Sequence, residues 1–405
     1  MDIEDQHIGR RVREVRHWRG MSLTATAGLA GISAPYLSLI ERGQRPVTKR
    51  VLLEALAHAL KVSAAELTGK PYPPNDPVSN ETHAHIAAIE TALDRYDLGT
   101  DPEVTARPWP ELAATVTHLD RVLRAEADYA AQSVVLPGLL AELHATYVQD
   151  PEHRQDALIG LLYTYRSAAS VCKNLGVRGL PLLASRLAQT CAEELGIPAW
   201  IGFAAYLRGI MSGPQSRAHQ YALSVRAIDQ LNVDLANPNT LQVAGTLHLN
   251  AALACAAQGD TEQTESHLDE AAEMAGRLPE RAENFGGLYF GPTNVGFWRV
   301  TLGAELEEGA KVAELARGVH PETVPLRSWQ ATFYADLGRA LASERRTREQ
   351  GIQAIVKAEE IAPQFVRNNV FVRETVSDLV ASARRDAGGR ELRGLAWRMG
   401  VAPNG

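Results

Sequence analysis

Cysteine is scarce in this chain. The three thiols, Cys172, Cys191 and Cys255, stand far apart with no C-x-x-C pair. That excludes a disulfide framework and a thiolate metal site, and it reads as buried thiols of a reducing compartment. Long apolar runs are missing as well. None reaches the ~20 residues a spanning helix needs, and the opening MDIEDQHIGRR has no character of a secretory signal. The expectation is a cytoplasmic protein with no membrane partner. Strand signals are absent beyond about residue 81. The signatures of catalysis are absent too: no H-E-x-x-H, no G-x-S-x-G, and no Gly-rich loop ending in Lys-Ser/Thr. The carboxylate pairs Glu193-Glu194 and Glu307-Glu308 fall near helix boundaries and read as surface charge, and His83 and His85 read as a solvated helix start. A non-enzyme with no cofactor and no metal is expected.

Acid exceeds base overall, with a net charge of −7, which taken alone argues against nucleic acid. The distribution along the chain argues the other way. Residues 1–70 hold 11 Lys/Arg against 7 Asp/Glu, whereas the remainder holds 30 against 41. A basic head on an acidic body fits a DNA-binding module attached to something that does not touch DNA.

The head is organised around Ser22 to Pro46, SLTATAGLAGISAPYLSLIERGQRP. Ser22 and Ser33 are N-cap residues, whose hydroxyls accept from N–H groups that a first helical turn leaves unpaired. Gly31 and Gly43 fall where each helix must stop. Pro35 sits in the first turn of the second helix, where its missing N–H costs little, leaving the Tyr36 N–H as partner for Ser33. Ala27 is small at the crossing, and Ile32, Leu37 and Ile40 supply apolar contacts. This is the pattern of a helix-turn-helix. Residues 5–19 form a preceding helix with Ile8, Val12 and Val15 on one face and five arginines on the others, some placed for phosphate contact. Val51–Leu60 and Ala64–Leu67 complete five helices, Ser63 capping the last.

The run Gly31-Ile32-Ser33, Tyr36-Leu37-Ser38, Ile40-Glu41-Arg42-Gly43 and Arg45-Pro46 resembles the Cro/repressor (XRE) class of helix-turn-helix domains, and in particular the long regulators of actinomycetes that carry one at the N-terminus. The resemblance implies an Arg16–Glu41 ion pair as a structural tie. It implies a recognition helix from Ser33 to Arg42 that reads base edges at Ala34, Pro35, Ser38 and Leu39. These positions, with Leu23 where relatives often have Gln, depart from the better-known repressors: Ala, Pro and Leu make no bidentate hydrogen bonds to bases. Affinity is therefore expected from Tyr36, Arg42, Gln44 and Arg45 at the DNA backbone, and sequence choice from Ser38, methyl contacts and DNA shape. A single such module binds weakly, so a homodimer on a two-fold operator is expected.

Four prolines between Lys70 and Pro77 mark a semi-rigid spacer. The expected organisation is a DNA-binding domain at 1–70, a linker at 71–80 and a helical body at 81–405. In that body Pro198, Pro238, Pro279, Pro321 and Pro363 recur every 40 to 42 residues, a period with two helices per unit that marks an α-solenoid. Leu247 to Ala272 resembles a tetratricopeptide hairpin with lengthened helices. The expected fold is all-α: a five-helix repressor-type domain, then a right-handed α-solenoid of tetratricopeptide-like hairpins capped by residues 81–160.

One stretch is unlike the rest. NFGGLYFGPTNVGFWR, from Asn284 to Arg299, packs four glycines and five aromatics around a repeat boundary, although glycine costs helix stability. Phe290 to Val295 resembles a recurrent element of the same regulators. Two readings stay open: a tight turn with aromatics filling the core, or a ligand site with Thr293, Asn294 and Arg299 facing the concave side and Tyr289, Phe290 and Trp298 as an apolar wall. In related tetratricopeptide sensors, asparagine amides hold the backbone of a signalling peptide. By that resemblance Asn250 and Asn294 are candidates, and Tyr334 occupies a similar place in another repeat. The expected function is a transcriptional regulator that binds a double-stranded operator and responds to a small-molecule or peptide effector. The alternative is a protein-interaction module whose head recruits a partner protein to DNA.

Overall fold

A computed structural model of the chain describes residues 8–62, 64–68, 85–212, 216–306, 308–386 and 389–401, and all regular structure among them is helical. Ser63 and the proline-rich segment 71–80 lie outside the described residues. The N-terminal unit comprises α1 (Ile8–Trp18), α2 (Leu23–Leu29), α3 (Ala34–Glu41), α4 (Arg50–Leu60) and α5 (Ala64–Leu67). Its helix ends are set by the expected residues. Ser22 Oγ accepts from the Ala25 N–H at 3.1 Å and Ser33 Oγ from the Tyr36 N–H at 3.3 Å. Gly31 and Gly43 both adopt φ +69°, the left-handed region open to glycine at little cost. Between α2 and α3 the chain bends by 105°, within the range of a DNA-binding helix-turn-helix. Val12, Leu37, Ile40 and Leu56 have no exposed surface in this small core.

The arginine–glutamate tie is present. Arg16 Nε and Nη2 donate to Glu41 Oε1 and Oε2 at 2.6 and 2.7 Å, with both residues buried. The parallel fork is the strong geometry for an Arg–carboxylate pair, and it locks α1 to the end of α3.

The body runs through α6 (Ile86–Arg95), α7 (Trp109–His118), α8 (Tyr129–Gln149), α9 (Arg154–Asn174), α10 (Leu180–Leu195), α11 (Pro198–Met211), α12 (Arg217–Leu231), α13 (Pro238–Ala256), α14 (Thr261–Gly276) and α15 (Pro292–Glu305). It ends with α16 (Val312–Leu315), α17 (Arg327–Ala342), α18 (Arg348–Ile361), α19 (Pro363–Arg367), α20 (Val370–Asp386) and α21 (Arg390–Arg398). From α8 to α15 each helix packs on the next, and α11, α13 and α15 also touch in succession. At the centre lies α13, buried at every residue from Thr240 to Ala256.

The proline spacing does not mark one structural register. Pro198, Pro238 and Pro363 occupy first helical turns, Pro279 lies in the turn after α14, and Pro321 opens a single 3-10 turn. Between α15 and α17 lies α16, only four residues long. Gly309 (φ +54°) and Gly318 (φ +76°) turn the chain on either side of it. Among the described residues no single helix is long and apolar enough to cross a membrane.

Candidate nucleic-acid interface and ligand pocket

The third helix presents a free surface. Pro35, Arg42, Gln44 and Arg45 are exposed, and Ser33 is exposed at its cap. Ser38 and Leu39 are half-buried, and Ala34 and Tyr36 pack partly against the head core. The chain after α3 is held in place by its backbone: the N–H groups of Gln44 and Arg45 both donate to the Leu39 carbonyl, at 2.8 and 3.2 Å. Arg42 Nε donates to the Ser38 carbonyl at 3.2 Å. The resulting face joins a short apolar edge to two exposed guanidiniums. On α1, by contrast, Arg10 and Arg11 lie 3.0 and 3.5 Å from Glu14, and Arg19 donates to the Lys61 carbonyl. That leaves less of the arginine run for phosphate than the sequence suggests.

On its other side the head is docked on the body. Val370 and Phe371 of α20 pack against the head core, and the guanidiniums of Arg50 and Arg339 lie 5.7 and 5.0 Å from the Phe371 ring centre. Two body carboxylates serve as caps for head helices. The first residue of α1, Ile8, donates its N–H to Glu374 at 3.1 Å, and the first residue of α4, Arg50, donates its N–H to Glu305 at 3.0 Å. Lys49, the residue preceding α4, supplies no side-chain cap. A carboxylate at a helix N-terminus both satisfies a free N–H and meets the positive end of the helix dipole. Arg217 adds bonds to Glu54 at 3.1 and 3.2 Å, and Arg339 donates to the Thr48 carbonyl. Burial pushes the Glu374 carboxyl up to about 7, against the lowering pull of the Ile8 N–H and Arg373.

The unusual stretch forms a pocket of about 250 Å³ between the 284–294 segment, α13 and the turn at Thr323-Val324. Its construction starts from glycines. A Cβ on Gly245 would stand 2.0 Å from the Phe290 ring, and one on Gly287 would stand 2.8 Å from Arg166. Only a bare backbone lets the loop sit so close. Arg166 and Arg124 donate to the carbonyls of Gly286 and Gly287, and Asp120 pairs with both guanidiniums. Asp120 is delivered by a π turn, Leu119–Leu123, a feature that recurs at functional sites. Burial pushes its carboxyl up, but the Arg166 and Arg124 charges outweigh burial and hold it below its ordinary value. Burial, with Arg166 adding to it, brings Arg124 down to about 10. On the pocket side Gln242 accepts from the Phe285 N–H and donates to the Glu283 carbonyl, and Asn284 Oδ1 accepts from the Tyr289 N–H at 2.7 Å. Tyr289 is held at φ +46°, a strained conformation for an aromatic residue.

Of the eight ligand candidates, Tyr289, Phe290, Thr293 and Asn294 line this pocket. The other four lie outside its lining. Asn250 is fully buried, receiving a hydrogen bond from Gln220 Nε2 at 2.6 Å and donating to Ser224 Oγ at 2.9 Å, so its amide is occupied. Arg299 pairs with Asp269 and Glu265, Trp298 packs on the main core, and Tyr334 sits edge-on to Phe333. Trp298 and Arg299 are one turn further along α15 than Asn294, which carries them away from the pocket mouth. Gln242 and the Asp120–Arg124–Arg166 cluster were not legible as site-builders, because Gln242, Arg124 and Arg166 find partners far off in the chain. Among the described residues no group of three or more His, Cys, Asp or Glu is placed to hold a metal ion.

Residues 7–68 match the family described as a helix-turn-helix domain, so the chain carries such a domain at its N-terminus. Two curated relatives, each named "HTH-type transcriptional regulator RamB", come from Mycobacterium tuberculosis strains CDC 1551 / Oshkosh and ATCC 25618 / H37Rv. Both are 33% identical to the chain over 122 residues. The similarity takes in 29% of this chain and spans 24% of the relatives' length. No solved structure matches the chain.

Proposed function

We propose that the chain is a DNA-binding transcriptional regulator whose helical body senses a small molecule or peptide and thereby controls operator binding. The observation that carries the proposal is the run of α15. Its first turn, at Thr293 and Asn294, lines the pocket, and its last residue, Glu305, accepts from the first N–H of α4 in the head. At 1.5 Å per residue such a helix spans about 20 Å. Thr301, one turn before Glu305, donates to Asp336, which in turn pairs with Arg339, the residue that reaches Thr48. A displacement of α15 by a bound effector therefore reaches α4 and the loop after the recognition helix through packed, hydrogen-bonded groups, the kind of continuous path coupling needs.

In this reading residues 1–70 are the DNA-binding domain, 71–80 the linker and 81–405 the sensor. The sensor is a right-handed α-solenoid of tetratricopeptide-like hairpins, supported by the succession of packed hairpins and by the contacts among α11, α13 and α15. Base edges would be read from Ala34, Pro35, Ser38 and Leu39, and the DNA backbone gripped by Tyr36, Arg42, Gln44 and Arg45. The protein acts as a cytoplasmic homodimer, because two heads on a two-fold site multiply the weak affinity of one. It performs no catalytic step of its own.

Gel-shift binding of the full chain to duplex DNA from upstream of its own coding region tests the reading, with Glu305→Ala as the coupling variant. Binding whose affinity changes by about fivefold or more in Glu305→Ala, as a coupling energy of about 1 kcal/mol demands, supports it. Absence of binding contradicts the regulator, and an unchanged affinity contradicts control by the body.

A further inference from the structure

We infer that the helical body touches duplex DNA itself, through Arg345 and Arg346, which grip backbone phosphates next to those held by the head. The inference rests on the DNA-binding role proposed above and deepens it by adding a second phosphate contact, from the body.

The first observation that carries it is where the two arginines stand. They lie in the short turn 343–347 between α17 and α18. The end of α17 is pinned to the head, because Arg339 donates to the Thr48 carbonyl, three residues after Arg45. Six residues of chain separate Arg339 from Arg345, a reach of at most about 20 Å. The turn is far from extended. Ser343 Oγ donates to the Ala340 carbonyl at 2.6 Å and Thr347 Oγ1 to the Leu341 carbonyl at 2.7 Å, which folds it against the end of α17. Asp378 of α20 gives a second bearing on the same place. Burial raises its carboxyl, and the charges of Arg348 and Arg45 both pull it back. Arg348 closes the basic turn and Arg45 follows the recognition helix. One carboxylate within reach of both sets the turn beside the exposed face of the head.

The second observation is that the pair is unengaged. Arg345 and Arg346 are exposed, and among the described residues neither makes a hydrogen bond or an ion pair. Elsewhere around the head the guanidiniums are taken: Arg10 and Arg11 by Glu14, and Arg217 by Glu54. The neighbouring acids do not reverse the charge of the turn. Glu344 is engaged by a partner of its own, and Glu349 lies in the first turn of α18, facing the positive end of the helix dipole. Beyond residue 70 the chain holds 30 Lys/Arg against 41 Asp/Glu, so the body as a whole repels DNA. Two adjacent guanidiniums next to the head are the groups through which it can approach. A guanidinium keeps its charge at any working pH and offers a donor fork that fits a phosphate. The competing reading is a solvated turn. Salt dependence separates the two, because an arginine that stays in water displaces no counterions from DNA.

The test is fluorescence anisotropy of a labelled upstream duplex with the full chain across a salt series. Arg345→Ala and Arg346→Ala are made together. Arg277→Ala with Arg281→Ala removes the same charge from the exposed turn after α14 and serves as the control. The turn pair should bind more weakly, with a log–log salt slope shallower by about 1.8, or 0.9 for each of two phosphates. The advantage of the wild type over it should then shrink about tenfold between 50 and 200 mM salt. The control pair should keep the wild-type slope. Hydroxyl-radical footprinting should show backbone protection beside the head's site in the wild type that is lost in the turn pair. Exposed positions of this kind tolerate substitution, so the fold stays intact. An unchanged slope in the turn pair overturns the inference, as does equal flattening in the control. A slope flattened by Arg42→Ala or Arg45→Ala but not by the turn pair sinks the inference and leaves the regulator standing. Absence of binding by the wild-type chain sinks both.

Discussion

Docking of the head on the body should weaken as pH rises from about 5 to 8, and Glu374 is the reason. Its carboxyl accepts from the first N–H of α1 in a buried position, and burial raises it from 4.5 to about 7. A carboxyl raised in the docked state favours docking most when protonated in both states, below about pH 4.5. Its contribution then falls by about 1.4 kcal/mol per pH unit and levels off above about pH 7. The difference between the two ends amounts to about 3 kcal/mol. Asp378, raised by burial against the pull of Arg348 and Arg45, adds to the loss with the same sign. Amide hydrogen exchange at the first turn of α1, corrected for the intrinsic pH dependence of exchange, reads the effect directly. Protection should fall between pH 5 and 8 in the wild type and stay high in Glu374→Gln, which remains neutral and keeps an acceptor for the Ile8 N–H. Protection that is flat with pH, or that falls equally in the two proteins, would refute the role given to Glu374.

Other outcomes follow from the same geometry. Glu41→Ala strands a buried guanidinium at Arg16 and should cost the head about 3–5 kcal/mol, seen as early melting of α1 to α5 while the body holds. Gly245→Ala places a methyl group 2.0 Å from the Phe290 ring; thermal unfolding should show a loss of about 1–3 kcal/mol, together with displacement of Phe290 from the pocket wall. An unchanged melting temperature in either variant would contradict the packing described.

Sequence reasoning succeeded where the cause of a structure is local. The Ser22 and Ser33 caps and the left-handed Gly31 and Gly43 depend on neighbouring residues, and each stands where those residues place it; the Arg16–Glu41 tie, implied by the family resemblance, is present as well. The odd composition of Asn284 to Arg299 likewise marked a loop before α15 in which Gly286 and Gly287 meet close neighbours. Long-range partners were beyond its reach. Nothing near Arg50 announces that its cap arrives from Glu305, 255 residues away, or that Ile8 bonds a glutamate 366 residues on. Asn250 and Asn294 look alike as sequence, each an asparagine within a helical pattern. What separates them is that Gln220 and Ser224 occupy the first amide and no hydrogen-bonding group among the described residues occupies the second. The proline period also outran the fold, because equal spacing does not require equal registers.

In the proposed regulator the exposed face of α3 binds DNA through Arg42 and Arg45. Fluorescence anisotropy of a labelled upstream duplex, titrated with the full chain at two salt concentrations, tests it most directly. Binding should be tight and should weaken steeply with salt. In Arg42→Ala and Arg45→Ala, binding should be weaker and the log–log salt slope shallower by about 0.9 for each phosphate that is no longer neutralised. Binding with the same affinity and the same slope in both variants would contradict it.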